Sequence, residues 1–183
     1  MALKATICKA TLQVADMDRH YYGDHALTIA RHPSETDERM MVRVLCYALH
    51  ASETLAFGKG LSADDEPDIW QKDLTGTIET WIEVGQPDER RIRKACGRAR
   101  DVHVYACGDH GVSVWWSQAR SDLERCRNLT VKRLPAACVQ ALGELSARNM
   151  TLHCTIQDGH VWLSNTARSV EVASEVLRAS ERL

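Results

Sequence analysis

Strand and helix patterns alternate through the middle of the chain, and this alternation limits the possible folds more than any other feature. Polar and apolar residues alternate across Gly76–Gly85, which predicts a strand, and an apolar stripe at helical spacing after Pro87 predicts a helix. A strand, a helix and a strand follow at Val102–Cys107, Ser113–Cys126 and Leu129–Leu134. Because strands joined through helices lie parallel in one sheet, we expect an α/β protein with helices on the faces of the sheet.

Antiparallel hairpins are predicted on both sides of this central region. The N-terminal pair consists of the alternating segments Leu3–Ala15 and Tyr21–Arg31. Near the other end of the chain, Asp158-Gly159 is a strong hairpin signal between Met150–Gln157 and His160–Ser164. The fold class expected from the pattern is therefore a mixed β-sheet with flanking helices and additional antiparallel hairpins.

Further elements follow from capping and periodicity. Glu35–Ala51 is predicted to be an amphipathic helix with Ser34 as its N-cap, and Pro87 is predicted to be the first residue of the helix that follows it. The remaining segments are a short strand at Leu55–Phe57, a helix at Pro135–Arg148, and a last segment, Ser169–Arg182, that fits a strand or a helix.

Composition and charge exclude several classes of protein. The chain has 183 residues, of which 44% are hydrophobic and 26% charged, as expected for one globular domain over residues 1–183. No apolar run is long enough to span a membrane, and no signal peptide pattern is present. The seven cysteines form no Cys-x-x-Cys pair, so we expect a cytoplasmic protein with reduced thiols. Since the net charge is −2, any affinity for nucleic acid must come from a local patch.

Three carboxylates are candidates for a metal site. Glu38 lies on the inward stripe of its predicted helix, Asp68 precedes a possible strand, and Glu83 lies near the end of the alternating strand. Acids that meet at one end of a sheet would suit Mg²⁺ or Mn²⁺, which can activate water at a phosphodiester. The alternative is three unconnected acids: Glu38 beside the helix dipole, Asp68 in a solvated loop, and Glu83 on the wet face of its strand.

Basic residues are concentrated in the helix after Glu83. This cluster consists of Arg90, Arg91, Arg93, Lys94, Arg98 and Arg100. It could be a phosphate-binding patch for nucleic acid, or a solvated helix face whose positive charge lies toward the C-terminal end. By helix phase, Arg91 and Lys94 point away from the buried stripe.

A thiol or zinc site is a weaker possibility. Cys107 and His110 have a Cys-x-x-His spacing, but no second ligand pair accompanies them, so no zinc is expected. A thiol enzyme that uses Cys107 and His110 stays open as a third interpretation.

Several segments resemble the YaeQ family of small bacterial proteins. They are MALKATI, LTIARHPSETDERMM, ADDEPDIW, WIEVGQPDERRIRKAC and MTLHCTIQDGHVWLS, which together are spread over nearly the whole chain. The resemblance implies a variant of the restriction-endonuclease-like fold of PD-(D/E)XK nucleases. It assigns the helix acid to Glu38, the Pro-Asp to Pro67-Asp68 and the second acid to Glu83, which together would hold Mg²⁺ or Mn²⁺.

The chain departs from the nuclease pattern at one position. Gly85 stands where the motif has a lysine, which would stabilise charge on the attacked phosphate. Gln86 and Lys94 are the candidates to orient the attacking water in its place, and Asp65 or Glu66 could replace Asp68.

The function expected is a metal-dependent nuclease that hydrolyses DNA or RNA. In this interpretation Arg90, Arg91, Arg93 and Arg98 hold the nucleic-acid backbone. The alternative is a catalytically inactive nuclease-fold protein that acts as a nucleic-acid- or protein-binding module.

Overall fold

The computed structural model describes residues 4–59 and 63–182 and contains two compact units. The first unit comprises residues 1–51 and 137–173, and the second comprises residues 52–136 and 174–183. The sequence predicts one domain over residues 1–183, and this stays a prediction. Within the described residues, no helix is long and apolar enough to cross a membrane.

The first unit contains a five-stranded mixed sheet in the order β10-β9-β8-β1-β2. Its strands are β1 (Thr6–Asp16), β2 (Tyr21–Arg31), β8 (Asn149–Gln157), β9 (His160–Ser164) and β10 (Ser169–Glu171). β1 pairs antiparallel with β2 and parallel with β8, which confirms the N-terminal hairpin. The Asp158-Gly159 turn between β8 and β9 is confirmed as well, with φ of 52° and 78°, as its turn type requires.

The second unit contains a six-stranded mixed sheet in the order β11-β7-β6-β5-β4-β3. Its strands are β3 (Leu55–Phe57), β4 (Ile69–Lys72), β5 (Ile78–Val84), β6 (Ala99–Cys107), β7 (Leu129–Leu134) and β11 (Glu175–Arg178). β5, β6 and β7 are parallel, as the alternation of strands and helices predicted. The last segment of the chain is thus strand rather than helix, and its two strands belong to different sheets.

Four helices lie in the described residues: α1 (Asp37–Leu49), α2 (Glu89–Arg98), α3 (His110–Ala119) and α4 (Ala136–Gly143). Two predicted starts are wrong. The N-cap of α1 is Thr36, not Ser34, because the Thr36 hydroxyl accepts from Arg39 N at 3.1 Å. Pro87 lies outside α2, whose N-cap is Asp88.

Two predicted helices are shorter than their patterns. After Ala119 and after Gly143 the backbone bonds join residues three apart, as in Leu123 N to Arg120 O at 3.2 Å and Leu145 N to Leu142 O at 3.0 Å. Tight turns of this kind end an α-helix. Helix α3 therefore stops well before Cys126, and α4 stops before Arg148.

Burial differs from the predicted patterns in α1 and β5. Residues 40–48 of α1 are all buried, so α1 is not the amphipathic helix expected from its stripe. In β5, residues 81–84 are all buried, so the expected wet face is absent there. Strands in the middle of a sheet with parallel pairs are covered on both faces, which explains the loss of alternation.

Candidate functional site

Two carboxylates meet in the second unit, at the start of β4 and the end of β5. Ile69 pairs with Ile82 in the antiparallel β4–β5 ladder, which brings the preceding Asp68 next to the end of β5. Val84 N donates to Asp68 Oδ2 at 2.8 Å, and Asp68 is 1% exposed. Asp68 therefore does not lie in a solvated loop, and a backbone hydrogen bond fixes it beside the strand that carries Glu83.

Glu83 is buried and accepts two hydrogen bonds at one oxygen. Trp81 Nε1 and Arg91 Nε each donate to Glu83 Oε1 at 2.8 Å. Burial raises the pKa of the Glu83 carboxyl, and the nearby charge of Asp68 raises it further, while the Trp81 hydrogen bond and Arg91 oppose this. Glu83 is thus a buried acid held by its own neighbours rather than part of a wet strand face.

Arg91 joins helix α2 to the acid pair and to the acidic loop, residues 63–68. Besides Glu83, its guanidinium donates from Nη1 to Asp64 O at 2.9 Å and from Nη2 to Glu66 O at 2.8 Å. Helix phase places Arg91 away from the buried stripe, yet its guanidinium reaches Glu83. A long side chain in the first turn of a helix leans back toward the N-terminus, which here carries the Arg91 guanidinium to the end of β5.

Two more basic residues of α2 hold the same loop. Lys94 Nζ forms an ion pair with the Asp65 carboxylate, and this hydrogen-bonded lysine lowers the pKa of Asp65. Arg98 donates to Asp65 O at 3.0 Å and places its guanidinium 5.2 Å from the centroid of the Trp81 ring. Lys94 therefore contacts the loop at an exposed position, in agreement with the helix phase that placed it away from the buried stripe.

Gly85 directly follows β5, and its backbone conformation explains why this position holds a glycine. Its φ is +111°, a backbone conformation that glycine adopts far more readily than lysine. The next residue, Gln86, is exposed and donates from Nε2 to Cys107 O at 3.5 Å. The chain thus turns sharply where β5 ends, and the Gln86 amide points to the end of β6.

Glu38 belongs to the first unit, in the first turn of α1. It is half-buried, and its Cγ lies so near Gly143 that a Cβ on that residue would be 2.7 Å away. Within residues 4–59 and 63–182, no three or more His, Cys, Asp or Glu side chains are grouped as a metal site would require. A shared role of Glu38 with Asp68 and Glu83 stays a prediction.

The remaining predicted nucleic-acid ligands, Arg90 and Arg93, are exposed on α2. In the part of the chain that the structure describes, neither side chain forms an ion pair or hydrogen bond. They differ in this from Arg91 and Arg98, which hold the acidic loop. Of the four arginines predicted to bind nucleic acid, Arg91 has all three guanidinium nitrogens bonded to protein oxygens, whereas the other three are exposed.

A second buried carboxylate cluster was not predicted from the sequence. In the first unit, Glu35 accepts from Arg43 Nε at 2.8 Å, from Arg43 Nη2 at 2.7 Å and from Arg39 Nη1 at 2.8 Å. Arg39 and Arg43 lie four residues apart on one face of α1, and Glu35 directly precedes the N-cap Thr36, four residues before Arg39. The four-residue spacing of Glu35, Arg39 and Arg43 was the signal in the sequence that could have predicted this cluster.

The donor set at Asp68 and Glu83 does not fit a divalent cation at Glu83 Oε1 in the present geometry. That oxygen already accepts from an indole and from a guanidinium, which supplies positive charge where a metal would bind. The arrangement is suited to hold the acidic loop against α2.

The structure defines a mixed α/β protein with two mixed sheets, in which one unit carries a buried carboxylate pair beside an arginine-rich helix. A family described as "YaeQ protein" matches residues 1–174. The chain belongs to the YaeQ family. Over 172 residues it is 49% identical to YaeQ of Salmonella typhi and 47% identical to YaeQ of Escherichia coli strain K12, with 94% of this chain and 95% of each relative covered.

Two crystal structures of YaeQ proteins are similar to this one. The protein from Xanthomonas axonopodis pv. citri is 48% identical with a TM-score of 0.91, covering 96% of this chain and 99% of the other. The protein from Pseudomonas syringae is 35% identical with a TM-score of 0.92, covering 97% of this chain and 98% of the other. The fold described above is therefore that of the family.

Proposed function

We propose that this protein binds nucleic acid through its phosphates and uses Asp68 and Glu83 to build the binding surface rather than to hydrolyse the ligand. One observation carries the proposal: all three guanidinium nitrogens of Arg91 donate to protein oxygens, one of them on Glu83. Glu83 is therefore paired from within the protein, and Asp68 is held by Val84 N. Because the Arg91 guanidinium is bonded to the acidic loop, it holds that loop against α2.

The exposed arginines of α2 supply the binding charge. Arg90 and Arg93 have no ion-pair partner among the described residues and can turn toward an external anion. Guanidinium groups pair with phosphate in a planar, two-pronged geometry, which favours phosphate over a smaller anion. With a net charge of −2 for the whole chain, binding depends on this local surface.

The restriction-endonuclease-like core is part of the same proposal. The second unit places an acid before one strand and an acid near the end of the next, as the nuclease motif does, while Gly85 replaces the motif lysine. We interpret the second unit as a variant of that core that has kept the acids as structural groups.

The test measures fluorescence anisotropy of labelled 30-nucleotide DNA and RNA with EDTA and with Mg²⁺. We expect binding that does not require metal, and affinity that falls as salt rises. Arg90→Ala/Arg93→Ala should weaken it, while Lys9→Ala/Arg148→Ala, which removes two exposed charges from the first unit, should not. Absence of binding by the unaltered protein at low salt would refute the proposal.

A metal-dependent nuclease is the second candidate, because Asp68 and Glu83 are buried side by side and the charge of Asp68 raises the pKa of Glu83. Plasmid and RNA cleavage should be measured during Mg²⁺ and Mn²⁺ titration, with Glu83→Gln as the inactive control and Glu79→Gln as the matched strand control. Our proposal expects no cleavage. Cleavage that disappears only in Glu83→Gln would replace it with the nuclease.

A further inference from the structure

A concave surface lined by arginines lies in the second unit beside the C-terminal end of α2. A cavity of about 510 Å³ is lined by five arginines and by no acidic side chain. These arginines are Arg98, Arg100, Arg125, Arg127 and Arg182. We call this cavity the arginine groove. Arg98 and Arg100 belong to the basic cluster seen in the sequence, whereas Arg125, Arg127 and Arg182 come from two other segments of the chain.

The groove continues into a second cavity of about 680 Å³. Both cavities are lined by Cys96, Gly97, Arg125 and Asn128. The second cavity adds Arg93, but also Asp122 and Glu124. The positive charge is therefore greatest in the groove and becomes balanced along its continuation.

The floor of the groove is fixed before any ligand arrives. The Asn128 amide donates to Cys96 O at 3.0 Å and to Ala99 O at 2.9 Å, which ties the loop before β7 to the end of α2. These bonds also satisfy carbonyls at the negative end of the helix dipole, which would otherwise oppose an anion. At Gly97 a Cβ would meet no atom within 4 Å, so the floor is open to a ligand.

The arginines of the groove are only partly neutralised. Arg100 forms an ion pair with Glu79 at 3.1 Å, and Arg127 Nε lies 3.8 Å from Glu181 Oε2, with both of these pairs reaching solvent. The Arg125 side chain forms no ion pair or hydrogen bond within the described residues. Several guanidinium groups around one cavity are suited to a ligand with more than one phosphate.

We propose that the arginine groove binds the sugar–phosphate backbone of a single nucleic-acid strand, with consecutive phosphates paired to Arg125 and Arg127. This inference rests on the proposed function and names its ligand and its site. The proposal commits to a single strand because a flexible strand can follow a positively charged groove with successive phosphates. Because the Asn128 amide is already bonded and the proposed contacts are to phosphates, we expect binding that is independent of sequence.

The test compares unaltered protein with Arg125→Ala/Arg127→Ala by anisotropy of fluorescein-labelled 12-nucleotide oligo(dT) and oligo(U), over a salt series. Each phosphate contact to a single strand contributes about 0.7 to the salt slope, so the variant should lose about 1.4 from the slope and bind roughly tenfold more weakly. Lys9→Ala/Arg148→Ala is the matched control and should bind as the unaltered protein does. Thermal unfolding should show that all variants are folded.

Three outcomes would overturn the inference. If the double variant binds with unchanged slope while Arg90→Ala/Arg93→Ala loses binding, the groove is wrong and the proposed function stands. If the unaltered protein binds neither oligonucleotide, both fail. If a 12-base-pair duplex binds as tightly as the strands, or tripolyphosphate displaces them at equal phosphate concentration, the ligand is not a single strand.

Discussion

Each compact unit buries one glutamate against arginine, and the two clusters are built differently. In the first unit, Arg43 binds both oxygens of Glu35 and Arg39 adds a third bond. In the second unit, Arg91 and Trp81 share a single oxygen of Glu83, and a second carboxylate, Asp68, lies nearby. The first cluster links α1 to β2, because Arg43 Nη2 also donates to Ala30 O at 3.0 Å, whereas the second links β5, α2 and the acidic loop.

The difference shows why burial of an acid does not define an active site. Arg43 is 5% exposed and Arg91 is 25% exposed, so the Glu35 pair is desolvated to a greater degree. A buried pair with two-pronged geometry loses the most when one partner is removed. The Glu83 cluster instead holds the acidic loop and α2 in position beside β5.

The largest effect is expected from Arg43→Ala. The substitution leaves the buried Glu35 carboxylate with Arg39 alone, and loss of one partner of a buried pair costs about 3–5 kcal/mol in the free energy of unfolding. Urea unfolding measures this. Glu35→Gln/Arg43→Met, which removes both charges, should be much less destabilised; equal losses in the two variants would show that packing rather than charge holds the cluster.

Acid should lower stability through the second unit, in particular at His103, which lies on β6. Burial lowers the pKa of His103 to about 4; the charge of Asp101 raises it and that of Lys132 lowers it. Between the ordinary value of 6.5 and about 4, the unfolded state binds the proton and the folded state does not, so stability falls as pH falls.

This loss should reach about 2 kcal/mol between pH 6.5 and pH 5. Unfolding of His103→Gln, measured in urea over the same range, should show a flatter pH profile. An Arg39→Lys control, which keeps the charge in the Glu35 cluster, should keep the steep profile. A steep profile in His103→Gln would assign the acid sensitivity to another group.

Arg91→Ala should cost less than Arg43→Ala, about 1–2 kcal/mol, because its guanidinium is partly solvated. Its main consequence should be release of residues 63–68, since two loop carbonyls lose their donor. Limited proteolysis of this loop should become faster. Arg91→Lys should not restore protection, because one ammonium cannot reproduce the three bonds; full protection in this variant would show that charge alone suffices.

The smallest effects are expected at the helix caps. Thr36 and Asp88 accept from backbone N–H groups at 3.1 Å and 2.8 Å, and loss of such a cap costs about 1 kcal/mol. Thr36→Ala and Asp88→Ala should therefore each lower the free energy of unfolding by about that amount in thermal or urea unfolding. Ser34→Ala, at the cap predicted from sequence, should change it by less than about 0.5 kcal/mol.

Local signals were enough to predict much of the fold. The bounds of β2, β3, β7 and β9 match their predicted segments. The signals that define these strands are local, since they are the pattern of each segment and the turn residues that flank it. The ends of α3 and α4 were wrong because i→i+3 turns replace the helix where the apolar pattern continues. Assignment of β10 and β11 to different sheets depends on distant partners that no local pattern contains.

The candidate site was harder to predict for the same reason. The order of strands was enough to suggest that Asp68 and Glu83 lie at one end of a sheet. It could not show that Arg91 turns back to Glu83, since that depends on where α2 begins and on the reach of one side chain. Arg125, Arg127 and Arg182 were missed because only folding brings them together.

The parallel pairing of β1 with β8 has a consequence for synthesis. Lys9 lies opposite Asn149, so β1 cannot pair with β8 until residue 149 has been synthesised. Residues 52–136, which belong to the second unit, are translated between these two strands. Until then one edge of the N-terminal hairpin is open to other chains. We expect nascent chains halted before residue 149 to aggregate, and the completed chain to acquire its five-stranded sheet late.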